Sequence, residues 1–121
     1  MKRDMNLIRE MLLWAEKQEH GFIYENPEID GYSAEEIGYH AHLIGQSGLA
    51  IVHSDTDLSS LSPSAFISSI TNEGYEFIDV AKDNNIWAKA KETVLKPGVS
   101  MTFSLLIEWL KSEAKVRLGL P

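Results

Sequence analysis

Apolar positions recur at helical spacing towards both ends of the chain and gather into short, dense runs in the middle. Near the N-terminus, Ile8, Met11, Leu12 and Ala15, with Leu7 and Trp14 beside them, form a broad stripe of helical period, and Asp4 stands where an N-cap is expected. Gly21, after His20, is the expected stop. The run Gly21, Phe22, Ile23, Tyr24 is short, β-branched and aromatic and leads into Asn26 and Pro27, which predicts a brief strand or an extended connector.

A second helix has the clearest beginning. Ser33 followed three residues later by Glu36 is a capping box, and Tyr32 and Ile37 occupy the two positions of a hydrophobic staple. Ile37, Ala41 and Ile44 share one face, with His40 and Leu43 on its flanks, and Gly48 supplies the left-handed cap. Glu35, Tyr39, His42 and Gln46 fall on the opposite face. Residues 49–52 and 65–67 then predict two strands around the polar loop 55–63, which makes a hairpin.

Thr71, Asn72, Glu73 and Gly74 open a third helix with Tyr75, Phe77, Ile78 and Ala81 on its apolar side. Asp83, Asn84 and Asn85 break and recap the chain before Ile86, Trp87, Ala90 and Val94, and Lys96, Pro97 and Gly98 end that segment. Ser100 is expected to cap a last helix whose stripe is Phe103, Leu106, Ile107, Leu110 and Ala114, with Gly119 and Pro121 at its end. Leu105 and Trp109 widen this stripe. Phe103, Leu106, Trp109 and Leu110 are therefore the expected seam of a homodimer, the alternative being that the helix packs back on the first one.

These elements predict a mainly helical α+β fold with a small antiparallel hairpin and additional C-terminal helices. One domain over 1–121 is expected, with its core in 1–82 and a helical extension in 83–121. With 121 residues, 44% hydrophobic and 24% charged, the chain is long enough to bury about two-thirds of its unfolded surface. It contains no cysteine, which removes zinc-ribbon, thiol-redox and cysteine-nucleophile chemistries together. The start Met-Lys-Arg-Asp runs straight into a helical pattern without a signal peptide's apolar stretch, and the longest uncharged stretch, 37–54, holds His40, His42, Gln46 and His53. Neither secretion nor a membrane span is expected, and the chain reads as cytoplasmic.

Charge changes the picture most. Between residues 18 and 81 there is no Lys or Arg, while the same 64 residues carry eleven carboxylates. The first 17 residues are net +1 and residues 82–121 net +3, so a total of −7 hides an acidic middle of −11.

Two resemblances follow from these segments. "HLIGQSGLAIV" (42–52) is similar to the recognition-helix exit of bacterial winged-helix regulators, and "SITNEGYEFI" (69–78) to the wing-to-helix step "LTxxGxxxL" of that superfamily. "MKRDMNLIREMLL" (1–13), "GYSAEEIGYHAHLI" (31–44) and "TNEGYEFIDVAKDNNIWAKAKE" (71–92) resemble a family of uncharacterised phage and prophage proteins, a domain of unknown function. The resemblance implies a winged-helix-like fold and a bacterial host cell, and no active site. Residues 22–32 depart from a DNA-binding winged helix, since they leave little room for the positioning helix before the recognition helix.

In such a fold Glu35, Tyr39, His42 and Gln46 would face the major groove, and Asp55 and Asp57 would lie in the wing. Groove readers place Arg or Lys there and neutralise phosphates with more of them. This face has a glutamate and no cation, so DNA contacts would fall to Lys2, Arg3, Arg9 or the Lys82–Lys96 region. His40 and His42, two apart on a helix, diverge by about 200° and cannot chelate one ion. Asp55, Asp57 and Ser59 begin like a calcium loop, but Ser60 and Phe66 stand where Gly and Glu are needed. No phosphate loop, dinucleotide fingerprint or nucleophile elbow occurs. The expectation is a non-enzymatic accessory or regulatory protein without cofactor or metal. Its acidic surface would meet a protein partner, a nucleic-acid-handling host protein being one such; a DNA-binding transcriptional regulator is the alternative.

Overall fold

Every helix among the described residues begins at a side chain that takes up backbone N–H groups the helix leaves without partners. In the computed structural model, which describes residues 1–119, Asp4 accepts from the amides of Asn6 and Leu7 to start α1 (Met5–Glu16). Ser33 and Glu36 close a reciprocal capping box at α2 (Ala34–Gln46). The Thr71 hydroxyl accepts from Gly74 at 3.1 Å to open α3 (Asn72–Ala81). Asp83 does the same for α4 (Asn84–Thr93), and Thr102 for α5 (Phe103–Arg117). Between α2 and α3 lie β1 (Ala50–Ser54) and β2 (Ala65–Ile70), paired antiparallel as expected. The chain is thus α+β and mainly helical.

The chain divides into two compact units, Met1–Tyr75 and Glu76–Pro121. In the first, α1 packs against α2 and β2, and α2 against both strands. Leu7, Ile8, Met11 and Leu12 meet Ile37, Ala41 and Ile44, each at most 5% exposed, and Leu49 and Ile67 close the core from the sheet side. Full burial of such a side chain stabilises by about 1.5–3 kcal/mol. The hairpin lies directly on α2, because a Cβ at Gly38 would collide with Ser64 and one at Gly45 with Val52. Gly48, at φ 76°, turns the chain from α2 into β1.

The strands are longer than the apolar pattern suggests, and one residue explains why. The register slips between Ile51 and Val52, so that Ser68 is the extra residue of a bulge and is buried beside Ile67. The displaced Ser68 carbonyl accepts from Ile23 at 2.7 Å, and Glu25 bridges to Ile67. Residues 22–25 therefore run as an extended connector along the edge of β2.

In the second unit the core is aromatic. Phe77 meets Trp87 edge-on at 6.3 Å and Phe103 at 6.0 Å, while Leu106 and Leu110 are fully buried. Lys89 and Glu113 form an ion pair at 2.8 Å between α4 and α5.

Several expectations change. The helix α1 ends at Glu16, with Lys17 as its cap, and residues 17–21 form turns and bends rather than carrying the helix to Gly21. Tyr75 is exposed rather than part of the apolar side of α3. Thr102, not Ser100, caps α5, since residues 99–102 are non-helical and the Thr102 hydroxyl reaches Leu105. Of the four residues of the expected dimer seam, Leu106 and Leu110 have no exposed surface, while Phe103, in edge contact with Phe77, and Trp109 are both half-buried. Pro121, expected at the helix end, lies outside the described residues.

Gly74 is where the hairpin and α3 approach most closely, since a Cβ there would strike the Leu49 carbonyl and the Ile70 side chain. Gly74→Ala is expected to cost about 1–3 kcal/mol, read as a lower denaturant midpoint. Gly21→Ala, with open space around it, should stay within about 0.5 kcal/mol of the parent.

Candidate functional site

The orientation of α2 is fixed by a polar node at its inner face. His40, 1% exposed, uses both ring nitrogens: Nε2 accepts from the Asp4 amide at 2.9 Å, and Nδ1–H donates to the Glu36 carbonyl at 2.7 Å. The Asp4 carboxylate, besides capping α1, accepts from the Tyr32 hydroxyl at 2.8 Å. Burial, then the hydrogen bond to Asp4 and its charge, push the Tyr32 phenol above its ordinary range. One aspartate thus joins the start of α1, the loop before α2 and the second turn of α2.

With its inner face held, α2 turns Glu35, Tyr39, His42 and Gln46 outward. Glu35 and Gln46 are exposed, while Tyr39 and His42 are half-buried with their rings stacked at 6.2 Å. Eleven residues of helix separate the first from the last by about 16 Å. Asp55 is brought to the N-terminal end of this face: it lines, with Ala34, Ile37, Gly38 and residues 26–32, a hollow of about 630 Å³ that also holds Glu28 and Asp30. Gln46 lies at the other end and joins neither group.

The carboxylates differ in what they are free to do. Glu36 is spent in the capping box. Asp57 holds the hairpin tip, accepting from the Ser59 hydroxyl at 2.6 Å and the Ser59 amide at 2.8 Å; these bonds, the hydroxyl first, keep it below the usual carboxylate range. Glu35 and Asp55 make no side-chain hydrogen bond or ion pair among the described residues. Like Glu28 and Asp30 in the same hollow, Asp55 is held by no side-chain bond, while Glu35 stands in the first turn of α2, where its charge complements the helix dipole.

Two features of the surface escape the sequence pattern. Leu58 and Leu61, inside a stretch of loop composition, stand almost entirely in solvent at the hairpin tip. Phe22, Tyr24, His53 and Phe66 come together as a row of rings, because the connector and both strands bring them side by side. The signal for the first was two leucines between serines; for the second it was the aromatic content of 22–24.

The cations left for a phosphate backbone are fewer than the sequence suggests. Arg9 is 5% exposed and paired with Glu10 at 3.2 Å, and burial lowers its pKa against the opposing pull of Glu10. Lys82 pairs with Asp79 and Lys89 with Glu113. No group of three or more His, Asp or Glu side chains among the described residues is placed to hold a metal ion. No helix among them is long and apolar enough to cross a membrane.

Residues 2–100 match a family model described as hypothetical protein (DUF2513). The chain is also similar to an uncharacterised protein of Haemophilus influenzae, 28% identical over 108 residues that cover 88% of this chain and 89% of the relative. No solved structure matches it.

A phenol whose pKa is raised on folding stabilises the fold fully below its unfolded value of 10.0, and that contribution is lost as pH rises through the folded value. Alkaline titration should therefore show a tyrosine ionising later than an ordinary one, and Tyr32→Phe should remove it. The same variant should lose stability near neutrality by about 1 kcal/mol and show a shallower decline of its melting temperature above about pH 10.

Proposed function

This chain belongs to the family described as hypothetical protein (DUF2513), and we propose that it serves as a non-enzymatic accessory or regulatory protein acting through an acidic, winged-helix-like surface. The order of helix, extended connector, capped helix, hairpin and helix supports the winged-helix reading, with α2 as the presented helix and 55–63 as the wing. The resemblance of three segments to phage and prophage proteins supports a role in the cytoplasm of a bacterial host.

The observation that carries the reading is the charge map laid on this topology. The unit Met1–Tyr75 holds twelve carboxylates against four cations, a net −8, and one of those four, Arg9, is buried. Duplex affinity at physiological salt comes mainly from cations that displace counterions from phosphates. Here the helix face offers Glu35, the hollow at its N-terminal end offers Asp55, and the hairpin tip offers two bare leucines. That combination suits a protein whose contact surface is basic at the rim and apolar at the centre. A nucleic-acid-handling host protein is one such basic partner, and the acidic face would then compete with its nucleic acid. The second reading, a DNA-binding regulator, is favoured by the element order and opposed by the charge.

Glu35→Lys with Asp55→Lys should leave the melting temperature within a few degrees, because neither carboxylate has a structural bond. It should also cut capture of basic partners from a nuclease-treated host lysate by about tenfold at physiological salt. Unchanged capture would remove this surface from consideration. The free protein should show no retention of random duplex DNA near 150 mM salt. Strong binding there, lost when Tyr39, His42 and Gln46 are changed to Ala, would establish the regulator reading instead.

A further inference from the structure

Away from the α2 face, the first unit carries an aromatic groove that the function above does not use. Phe22 and Tyr24 stack at 5.5 Å, Tyr24 meets His53 at 5.8 Å, and His53 stacks on its cross-strand partner Phe66 at 5.6 Å. A core would hide such a row, yet Phe22 is 69% and Tyr24 54% exposed. Tyr24 also has φ 56°, the left-handed region that side chains other than Gly and Asn seldom adopt. The backbone is thus held in a disfavoured conformation where the ring is displayed.

Beside the row runs a groove of about 690 Å³, lined by His20, Phe22, Tyr24, Ile70 and Tyr75 among others. His20 and Tyr75 also wall a smaller hollow of about 170 Å³, whose lining includes Glu16 and Glu19. The two hollows share His20, Gly21, Ile70 and Tyr75 in their walls; the rings of Phe22, Tyr24 and Tyr75 border the first, Glu16 and Glu19 border the second, and neither lining has a Lys or Arg.

We infer that this groove binds an arginine side chain carried on a basic segment of a partner protein. Charge complementarity selects the occupant. A nucleobase would stack on the same rings, but its phosphates would find no Lys or Arg in either lining and two carboxylates in the adjoining hollow. A guanidinium fits both chemistries present: its plane stacks on an outer face of the Phe22–Tyr24 pair, whose inner faces already cover one another, and its charge is complemented by Glu16 and by Glu19, the latter 3.9 Å from His20, in the adjoining hollow. Lysine can satisfy the charge but not the stacking plane. The groove therefore distinguishes arginine from lysine, which a merely acidic surface does not. The inference extends the reading of a basic partner and stands apart from the α2 surface, since none of its residues lies on α2 or in 55–63.

The test is a titration of the full chain, at about 150 mM salt, with labelled blocked peptides of alternating glycine and arginine, or glycine and lysine, followed by anisotropy. The arginine peptide should bind at least about threefold more tightly than the lysine peptide. Phe22→Ala with Tyr24→Asn replaces two exposed rings, the second by a residue that accepts the left-handed backbone; it should weaken the arginine peptide about tenfold and erase the preference. Glu16→Gln with Glu19→Gln should weaken both peptides while the preference remains. Circular dichroism melts confirm that each variant is folded, and Phe22→Ala alone serves if the double variant is not. Glu35→Lys should change none of these ratios, so a failed α2 surface and a failed groove give different results. Equal binding of the two peptides, ring variants with unchanged affinity, tighter binding of oligothymidine than of the arginine peptide, or a self-association abolished by Phe22→Ala would each overturn the inference.

Discussion

The hairpin can lie against α2 only because Gly38 and Gly45, two helical turns apart, present no side chain to Ser64 and Val52. This close seating decides what the rest of the first unit can be. It places β1 along α2 so that Leu49 and Ile67 reach the core, and it carries the polar loop past the N-terminal end of the helix, where Asp55 joins Glu28 and Asp30. On the far side of α2, Glu35 and Gln46 are exposed. The third glycine approach, Gly74 against the Leu49 carbonyl, fixes the step from β2 into α3, where the Thr71 amide donates to that same carbonyl and its hydroxyl to Gly48.

The inner side of α2 shows how a buried polar group is tolerated. A burial of His40 to 1% exposure would be costly if either ring nitrogen lacked a partner. Asp4 and Glu36 supply one donor and one acceptor from the backbone, which also fixes the proton on Nδ1. The same Asp4 then serves as helix cap and as acceptor for Tyr32, so one short side chain ties three segments that are distant in sequence.

Helix starts were legible in the sequence because capping is a local interaction between a side chain and amides two or three residues ahead, as at Asp4, Ser33 and Asp83. The end of α2 was marked by Gly48, but the end of α1 and the strand lengths were not legible, because they depend on partners far along the chain. Ser68 and Ser69 read as a polar break until the bulge buries Ser68 and gives its carbonyl to Ile23. Phe103, Leu106 and Leu110 show the stripe of an amphipathic helix, and periodicity alone does not say whether a stripe meets its own chain or a copy; the Phe77 contact and complete burial of the leucines decide that. The six residues marked for the acidic surface were visible as a charge gap and a helical face. The exposure of Leu58 and Leu61 and the aromatic row were not, since loop composition conceals the first and the approach of the connector to both strands creates the second.

We propose that the acidic unit attracts cationic partners and repels duplex DNA. Amide chemical-shift mapping at about 150 mM salt tests it most directly, with one sample titrated by a soluble basic peptide and another by a duplex oligonucleotide of equal and opposite charge. The account predicts that the peptide moves resonances of residues in 18–81 and that the duplex moves none of them. Duplex-induced shifts centred on Tyr39, His42 and Gln46, with none from the peptide, would contradict it.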